Sequence, residues 1–330
     1  MQKLICLCYY LCCVGALAQP QKLVFRQPKM GSVFTIQVYT TDSLQAAQAA
    51  QKAFEAVDSL NLIFSDYLPN SELSRLSQTA GKGQWIITSA ALFDILSLSK
   101  TAWKKSHGAF DVTVGALTRL WRSYRKTKQL PDANTLQNAL AGVSSAYLLL
   151  QPAARRIQLK RPNTLLDLGG IGKGYAAQRM LEIMQKAGFR QVLCDAAGNM
   201  AIGDAPPNKQ GWLVGVQAPN PSNQLIDKLL SLHNKSISTS GDVYQFVEIQ
   251  GVRYSHIVNP QTGLGLTNQR QVTVVAQDAA QADWLSTACC MLPIKKALRL
   301  VKKEKAEVLI LEKVGTQLHG YSSKGWANLW

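Results

Sequence analysis

From Val33 to Tyr39 the apolar residues Phe34, Ile36 and Val38 alternate with Thr35 and Gln37, the period of a half-buried strand. The spacing then turns helical. Leu44, Ala47, Phe54, Val57, Leu60, Ile63 and Phe64 predict a helix over Ser43–Phe64. A loop from Ser65 to Asn70 leads to Ser71-Glu72-Leu73, and Ala90–Trp103 reads as a second helix that stops near Gly108. Tyr147–Leu150 and Arg156–Leu159 are expected to form a hairpin around Pro152. A strand over Thr164–Leu168, a glycine-rich turn, a helix over Tyr175–Ala187 and a strand over Gln191–Asp195 follow. Further strands are predicted at Trp212–Val216, Lys235–Thr239, Tyr244–Ile249, Val252–Ile257 and Val272–Ala276. Helices over Ala280–Met291 and Ile294–Lys303 precede a last strand at Glu307–Leu311. Strands and helices mix without a steady alternation, which favours an α+β fold over a doubly wound sheet. No composition shift marks a linker, so residues 19–330 are read as one unit.

The start of the chain has a different character. Lys3 precedes the uncharged apolar run Leu4–Ala18, which closes on Ala16-Leu17-Ala18, the pattern of a secretory signal peptide over residues 1–18. The run is short for a membrane span. Export to the periplasm is therefore expected, with a lipid anchor at Cys12 or Cys13 as the variant, although Tyr10-Leu11 is not the small-residue context that lipidation favours. Beyond the leader only Cys194, Cys289 and Cys290 of the seven cysteines remain. They form no disulfide framework and are expected to pack as small buried groups. The net charge of +16 invites a nucleic-acid reading. Yet the basic residues are scattered, and the densest group, from Lys295 to Lys305, has the spacing of a solvated helix face. No nucleic-acid partner is expected; an acidic partner or an anionic nucleotide fits the charge.

Five segments could carry chemistry. Asp167-Leu-Gly-Gly-Ile-Gly-Lys-Gly-Tyr-Ala-Ala177 runs from a predicted strand into glycines and a helix, where backbone N–H groups can approach a phosphate. It lacks the Gly-Lys-Ser/Thr of a P-loop, but contains Gly172-x-Gly174-x-x-Ala177, so a dinucleotide fold competes with a plain tight turn. In Ala282-Asp283-Trp-Leu-Ser-Thr287, Asp283 and Thr287 are four apart and share a helix face, an oxygen pair that suits a hard cation such as Mg²⁺. An exposed Asp with a helix-interior Thr is the bland alternative. Tyr254-Ser-His256 meets the turn Asn259-Pro-Gln-Thr-Gly263, and His256 is one of four histidines that could serve as a base near neutral pH. Gly108-Ala-Phe-Asp-Val-Thr-Val-Gly115 and Ser238-Thr-Ser-Gly-Asp242 put small residues and an Asp where the chain turns closely. Each could be only a turn. No zinc spacing and no G-x-S-x-G is present.

Taken in order, these segments resemble the FAD:protein FMN transferases of the ApbE family. Met30-Gly31-Ser32, Phe64-Ser-Asp-Tyr67 with Ser71-Glu72-Leu73, the Gly108–Gly115 block with Leu120-Trp121, the glycine turn, Thr239-Ser-Gly-Asp242, His256-Ile-x-x-Pro-x-Thr-Gly263 and Ala282-Asp-x-x-x-Thr287 are similar to its motifs. The resemblance spans roughly residues 27 to 311. It implies two interlocked lobes with the flavin nucleotide between them. It implies FAD contacts at Met30, Tyr67, Ala109, Phe110, Asp111, Asp167, Lys173 and Ile257, and Mg²⁺ ligation by Asp283, Thr287 and the Gly170 carbonyl. The implied reaction is transfer of FMN from FAD to a Thr or Ser hydroxyl of an acceptor redox protein; His256 is the preferred candidate for accepting the hydroxyl proton, against a purely structural histidine at a strand end. Hydrolysis of FAD to FMN and AMP, or FAD storage without catalysis, are the alternatives. Gln178, Asn199 and Asn259 stand where the family commonly has Asp.

Overall fold

The structure is a computed structural model; it describes residues 19–219, 225–241 and 245–329, so the proposed signal peptide and Asp242 lie outside the described residues. An opening hairpin pairs β1 (Gln21–Lys29) with β2 (Ser32–Thr40). It turns on Met30 and Gly31, with φ of 48° and 72°. Positive φ at both central positions is what a two-residue turn between right-twisted strands needs. Helix α1 (Ser43–Phe64) has the predicted bounds, its first turn capped by Asp42, whose carboxylate accepts from the Gln45 N–H at 2.8 Å. Then come α2 (Glu72–Ser77), β3 (Ile86–Ile87), α3 (Ala90–Lys105), α4 (Gly115–Thr127), α5 (Ala133–Leu140), β4 (Leu148–Gln151) and β5 (Arg156–Leu159). The chain continues through α6 (Gly172–Lys186), β6 (Val192–Ala196), β7 (Asn199–Ile202), β8 (Trp212–Pro219), β9 (Leu225–Leu232) and β10 (Lys235–Gly241). It ends with β11 (Phe246–Ile249), β12 (Val252–Ser255), β13 (Arg270–Ala276), α7 (Ala279–Met291), α8 (Ile294–Lys303), β14 (Glu307–Val314) and β15 (Gln317–Ser322).

The main sheet is antiparallel in the order β1-β2-β6-β7-β10-β13-β14-β15. Both of its faces are covered, and the strand alternation divides its residues between two cores. Phe34, Ile36, Cys194, Val274 and Ile310 pack with α1, α6 and α7. Their neighbours Leu193, Val275, Leu309 and Leu311 face the other way, onto Trp212, Val214 and Leu230 of the β8–β9 hairpin. A separate cluster joins Leu117 and Trp121 of α4 to Val247 and Ile249 of β11 and to Val258. The Trp121 indole N–H donates to the Ser255 carbonyl at 2.9 Å and fixes this smaller lobe to the end of β12. Cys194, Cys289 and Cys290 are buried.

Two expectations need correction. Thr164–Leu168 is not a strand. It makes one parallel bridge, Val114 to Leu165, and threads between loops: Asp167 N–H donates to the Val112 carbonyl, Gly115 N–H to the Leu165 carbonyl, and Leu166 N–H to the Ser77 hydroxyl. The Leu166 and Asp167 N–H groups and the Leu165 carbonyl are thus satisfied without a ladder. Helix α6 also starts inside the glycine turn, at Gly172 rather than Tyr175.

Candidate active site

Residue types in the glycine turn are dictated by how closely α7 and Phe110 approach it. A side-chain carbon on Gly170 would lie 3.1 Å from Thr287 Oγ1 and 3.1 Å from Phe110 Cε2. One on Gly174 would lie 2.7 Å from Asp283 Cβ. None of Gly169, Gly170, Gly172 and Gly174 has a positive φ, so close approach, and not backbone freedom, requires Gly170 and Gly174. The turn offers fewer donors than its glycine content suggests. The N–H groups of Gly169, Ile171, Gly172, Gly174 and Tyr175 already have acceptors within the chain. Among the described residues only those of Gly170 and Lys173 in this run have none.

Asp283 is buried on α7, 4 % exposed, and its carboxylate accepts from the Gly174 N–H at 2.8 Å. Burial pushes its carboxyl up to about 7, against the opposing pull of the Gly174 hydrogen bond and the Lys173 charge. Thr287 stands one turn further on, with Gly170 beside its hydroxyl. Among the described residues no three His, Cys, Asp or Glu side chains gather as a metal cluster. The donors here are a carboxylate, a hydroxyl and the turn's carbonyls, all oxygens, which suits a hard cation. A buried carboxylate with one N–H donor is also a group that a nearby cation would return to its ionised form. The residue types therefore fit a hard cation such as Mg²⁺, which Asp283, Thr287 and the Gly170 carbonyl would hold.

At the other end of the turn, Asp167 Oδ1 accepts from the Gly169 N–H at 2.7 Å and Oδ2 from Thr118 Oγ1 at 2.6 Å. Arg122 of α4 lies between Asp167, at 3.4 Å, and Asp66, with which it forms a short ion pair. Burial raises the Asp66 carboxyl, as does the Asp167 charge, while Arg122 works against both. Burial disfavours the Arg122 guanidinium, yet the Asp66 hydrogen bond and both carboxylate charges outweigh it and raise its pKa. Its guanidinium carbon sits 4.4 Å from the centre of the Tyr67 ring. Tyr67 is 75 % exposed, an aromatic face held by a cation and open to stacking. Asp66, Thr118 and Arg122 were missed in the sequence; only the one-turn spacing of Thr118 and Arg122 beside Leu120-Trp121 could have pointed to them.

The remaining candidates divide. Phe110 is buried against Trp284, with ring centres 6.2 Å apart, beside half-buried Ala109. Met30 and Ile257 pack at the margin of the main core. Asp111 acts inward. Its carboxylate takes hydrogen bonds from the N–H and hydroxyl of Thr113 and from the N–H and hydroxyl of Ser145, so it holds the Ala109–Phe110 loop in place. His256 is half-buried at the end of β12, its Nδ1 3.2 Å from the Gln245 carbonyl. The three amides at usual Asp positions all accept hydrogen bonds: Gln178 from the Ala279 N–H, Asn259 from the Gln261 N–H, and Asn199 from the Ser238 hydroxyl.

Residues 30–310, from the Met30 turn to β14, match the ApbE family. The chain belongs to the ApbE family. It is 30% identical over 292 residues to the FAD:protein FMN transferase of Klebsiella pneumoniae (strain 342), covering 87% of this chain and 83% of that protein. It is 28% identical over 301 residues to the FAD:protein FMN transferase of Escherichia coli (strain K12), covering 89% and 85%. The fold superposes on the flavin transferase ApbE of Vibrio cholerae with a TM-score of 0.84 at 21% identity, over 94% of this chain and all of that one (100%). The Pseudomonas stutzeri flavinyl transferase ApbE, in its apo form, gives 0.84 at 24% identity over 95% and 98%. The ApbE fold of this chain thus joins the glycine turn to α7 through Asp283 and to the Arg122 cluster through Asp167.

Proposed function

We propose that this ApbE-family chain is a FAD:protein FMN transferase that moves FMN from FAD to a threonine or serine hydroxyl of an acceptor redox protein. The observation that carries the reading is the meeting of Asp283 and Thr287 with the glycine turn at Gly170 and Gly174. Storage of a nucleotide needs no buried carboxylate at this point, whereas phosphoryl transfer needs charge neutralised and the reactants aligned. Bound Mg²⁺ would supply Lewis-acid neutralisation of the diphosphate. Lys173 and the N–H groups of Gly170 and Lys173 are the donors for phosphate oxygens. Tyr67 offers its exposed face to the flavin ring, backed by Arg122.

In the reaction the acceptor oxygen bonds to the FMN-side phosphorus, the bond to the AMP oxygen breaks, and the hydroxyl proton passes to His256. A groove of about 670 Å³ opens beside Ala109 and Asn259, with Met291 and Leu292 along it and Lys296, Arg299 and Lys303 of α8 on its rim. We assign it to the approach of an acidic segment of the acceptor. The leader pattern of residues 1–18 supports export to the periplasm, soluble or held by a lipid, which fractionation of cells would test. The transferase reading is tested by mass spectrometry of an acceptor protein after incubation with FAD and Mg²⁺. An FMN-sized mass gain with release of AMP supports it; free FMN and AMP without a mass gain would replace it with FAD hydrolysis.

A further inference from the structure

Thr287 is joined to a line of hydroxyls whose proton order follows from counting. Asn199 Oδ1 accepts from Ser238 Oγ at 2.6 Å, with the Asn199 amide N–H₂ turned to the Ala196 carbonyl at 3.3 Å. Ser238 Oγ is 3.2 Å from Ser286 Oγ, Ser286 Oγ is 2.7 Å from Ser240 Oγ, and Ser240 Oγ is 3.2 Å from Thr287 Oγ1. The strand period brings them together. Ser238 and Ser240 are two apart on β10 and share the face beneath α7, where Ser286 and Thr287 are neighbours. Ser238 and Ser286 are fully buried, at 0% exposure.

Each hydroxyl has one proton to give. That of Ser238 goes to Asn199 Oδ1, an atom that cannot donate. That of Ser286 has three acceptors within reach, the Asp283 carbonyl at 2.8 Å, Ser240 Oγ at 2.7 Å and Ser238 Oγ at 3.2 Å; it goes to the carbonyl, which can only accept, while both hydroxyls bring a proton of their own. Ser240 must then donate to Ser286, and Thr287 must donate to Ser240. The Thr287 proton therefore faces inward, and its lone pairs are left for the Gly170 side.

We infer that Ser240 and Ser286 are positioning residues that fix Thr287 as a pure acceptor, so that its oxygen meets a divalent cation with a lone pair. This rests on the reading of Asp283, Thr287 and Gly170 as a cation site. Removing Ser240 frees the Thr287 proton to rotate outward. Removing Ser286 lets Ser240 turn its own proton onto Thr287 and compete with the cation. Removing Ser238 does less, because the Asp283 carbonyl still takes the Ser286 proton.

The test is Mn²⁺ binding to the full mature chain, read as loss of the free Mn²⁺ electron paramagnetic resonance signal, with and without FAD and with no acceptor present. Ser240→Ala and Ser286→Ala are expected to weaken Mn²⁺ binding by about 10- to 100-fold, the usual effect of losing a partner that orients a ligand. Ser238→Ala is expected to weaken it less than either, and Ser240→Thr, which restores the hydroxyl, to return affinity toward the parent. Parent-like affinity in a folded Ser240→Ala or Ser286→Ala chain would overturn the inference and leave the cation site standing. Equal weakening in Ser240→Thr and Ser240→Ala would also overturn it, since a packing effect ignores the hydroxyl. No Mn²⁺ binding by the parent would overturn the cation site itself, and this inference with it.

Discussion

Replacing Asp283 by Asn keeps the side-chain volume and deletes the charge from a site that is 4 % exposed. Burial lifts the Asp283 carboxyl from 3.8 to about 7. That rise corresponds to about 4 kcal/mol held against the ionised form in the cation-free fold. The sign follows from proton binding. Between pH ~4 and ~7 the folded protein holds a proton that the unfolded chain has lost, so cation-free stability falls as pH rises through that window and levels off above it. The substituted amide carries no such penalty, although its buried N–H₂ lacks an acceptor, at about 1–3 kcal/mol. Asp283→Asn should therefore stabilise the cation-free protein by about 1–3 kcal/mol at pH 8 and by roughly nothing at pH 5. For a domain of this size that is a rise in Tm of roughly 2–5 °C at pH 8. Thermal melting in chelator at both pH values measures it. Added Mg²⁺ should raise the Tm of the parent and leave that of the variant unmoved, while FMN transfer is lost. A variant less stable than its parent at pH 8 in chelator, or one with the same gain at both pH values, would refute the reasoning.

Four further outcomes are expected. Thr287→Val keeps the shape and removes one oxygen, and should raise the Mg²⁺ concentration needed for half-maximal transfer by about tenfold or more; an unchanged titration would make Thr287 a packing residue. His256→Asn should slow transfer by ~10²-fold or more at saturating FAD, with FAD affinity little changed. Normal turnover with poor FAD binding would make His256 a binding residue. Tyr67→Ala should leave the Tm unchanged, because the ring is 75 % exposed, and weaken FAD binding by roughly 3- to 10-fold in a fluorescence titration. The double variant Lys296→Glu and Arg299→Glu should raise the KM for an acidic acceptor while FAD affinity stays constant, and equal kinetics would return the α8 face to plain solvent exposure.

The pattern along the chain was enough for whatever is decided within a few residues. Helices α1 and α8 have the bounds that their apolar spacing predicts, because a helix and its cap depend on neighbours no more than four residues away. The same spacing put Asp283 and Thr287 on one face of α7, and the order of motifs from Met30 to Thr287 identified the family. Sequence periodicity failed where partners are distant. Strand β7 and helix α4 were not foreseen: Met200 and Ala201 owe their strand state to pairing with Cys194, Asp195, Ser236 and Ile237, and α4 draws its buried face from Trp121 against Ser255. Thr164–Leu168 has a strand's composition, but its Leu166 and Asp167 N–H groups found the Ser77 hydroxyl and the Val112 carbonyl instead of a ladder. The contact of the Gly174 N–H with the Asp283 carboxylate joins positions 109 apart, and that between Arg122 and Asp66 joins positions 56 apart. A carboxylate reads the same in sequence whether solvent or a protein N–H faces it. Only the packing of α6 on α7 and of α4 on the Asp66 loop removed the water that would otherwise screen these charges, and so gave Asp283, Arg122 and the inward-facing hydroxyl of Thr287 their chemistry.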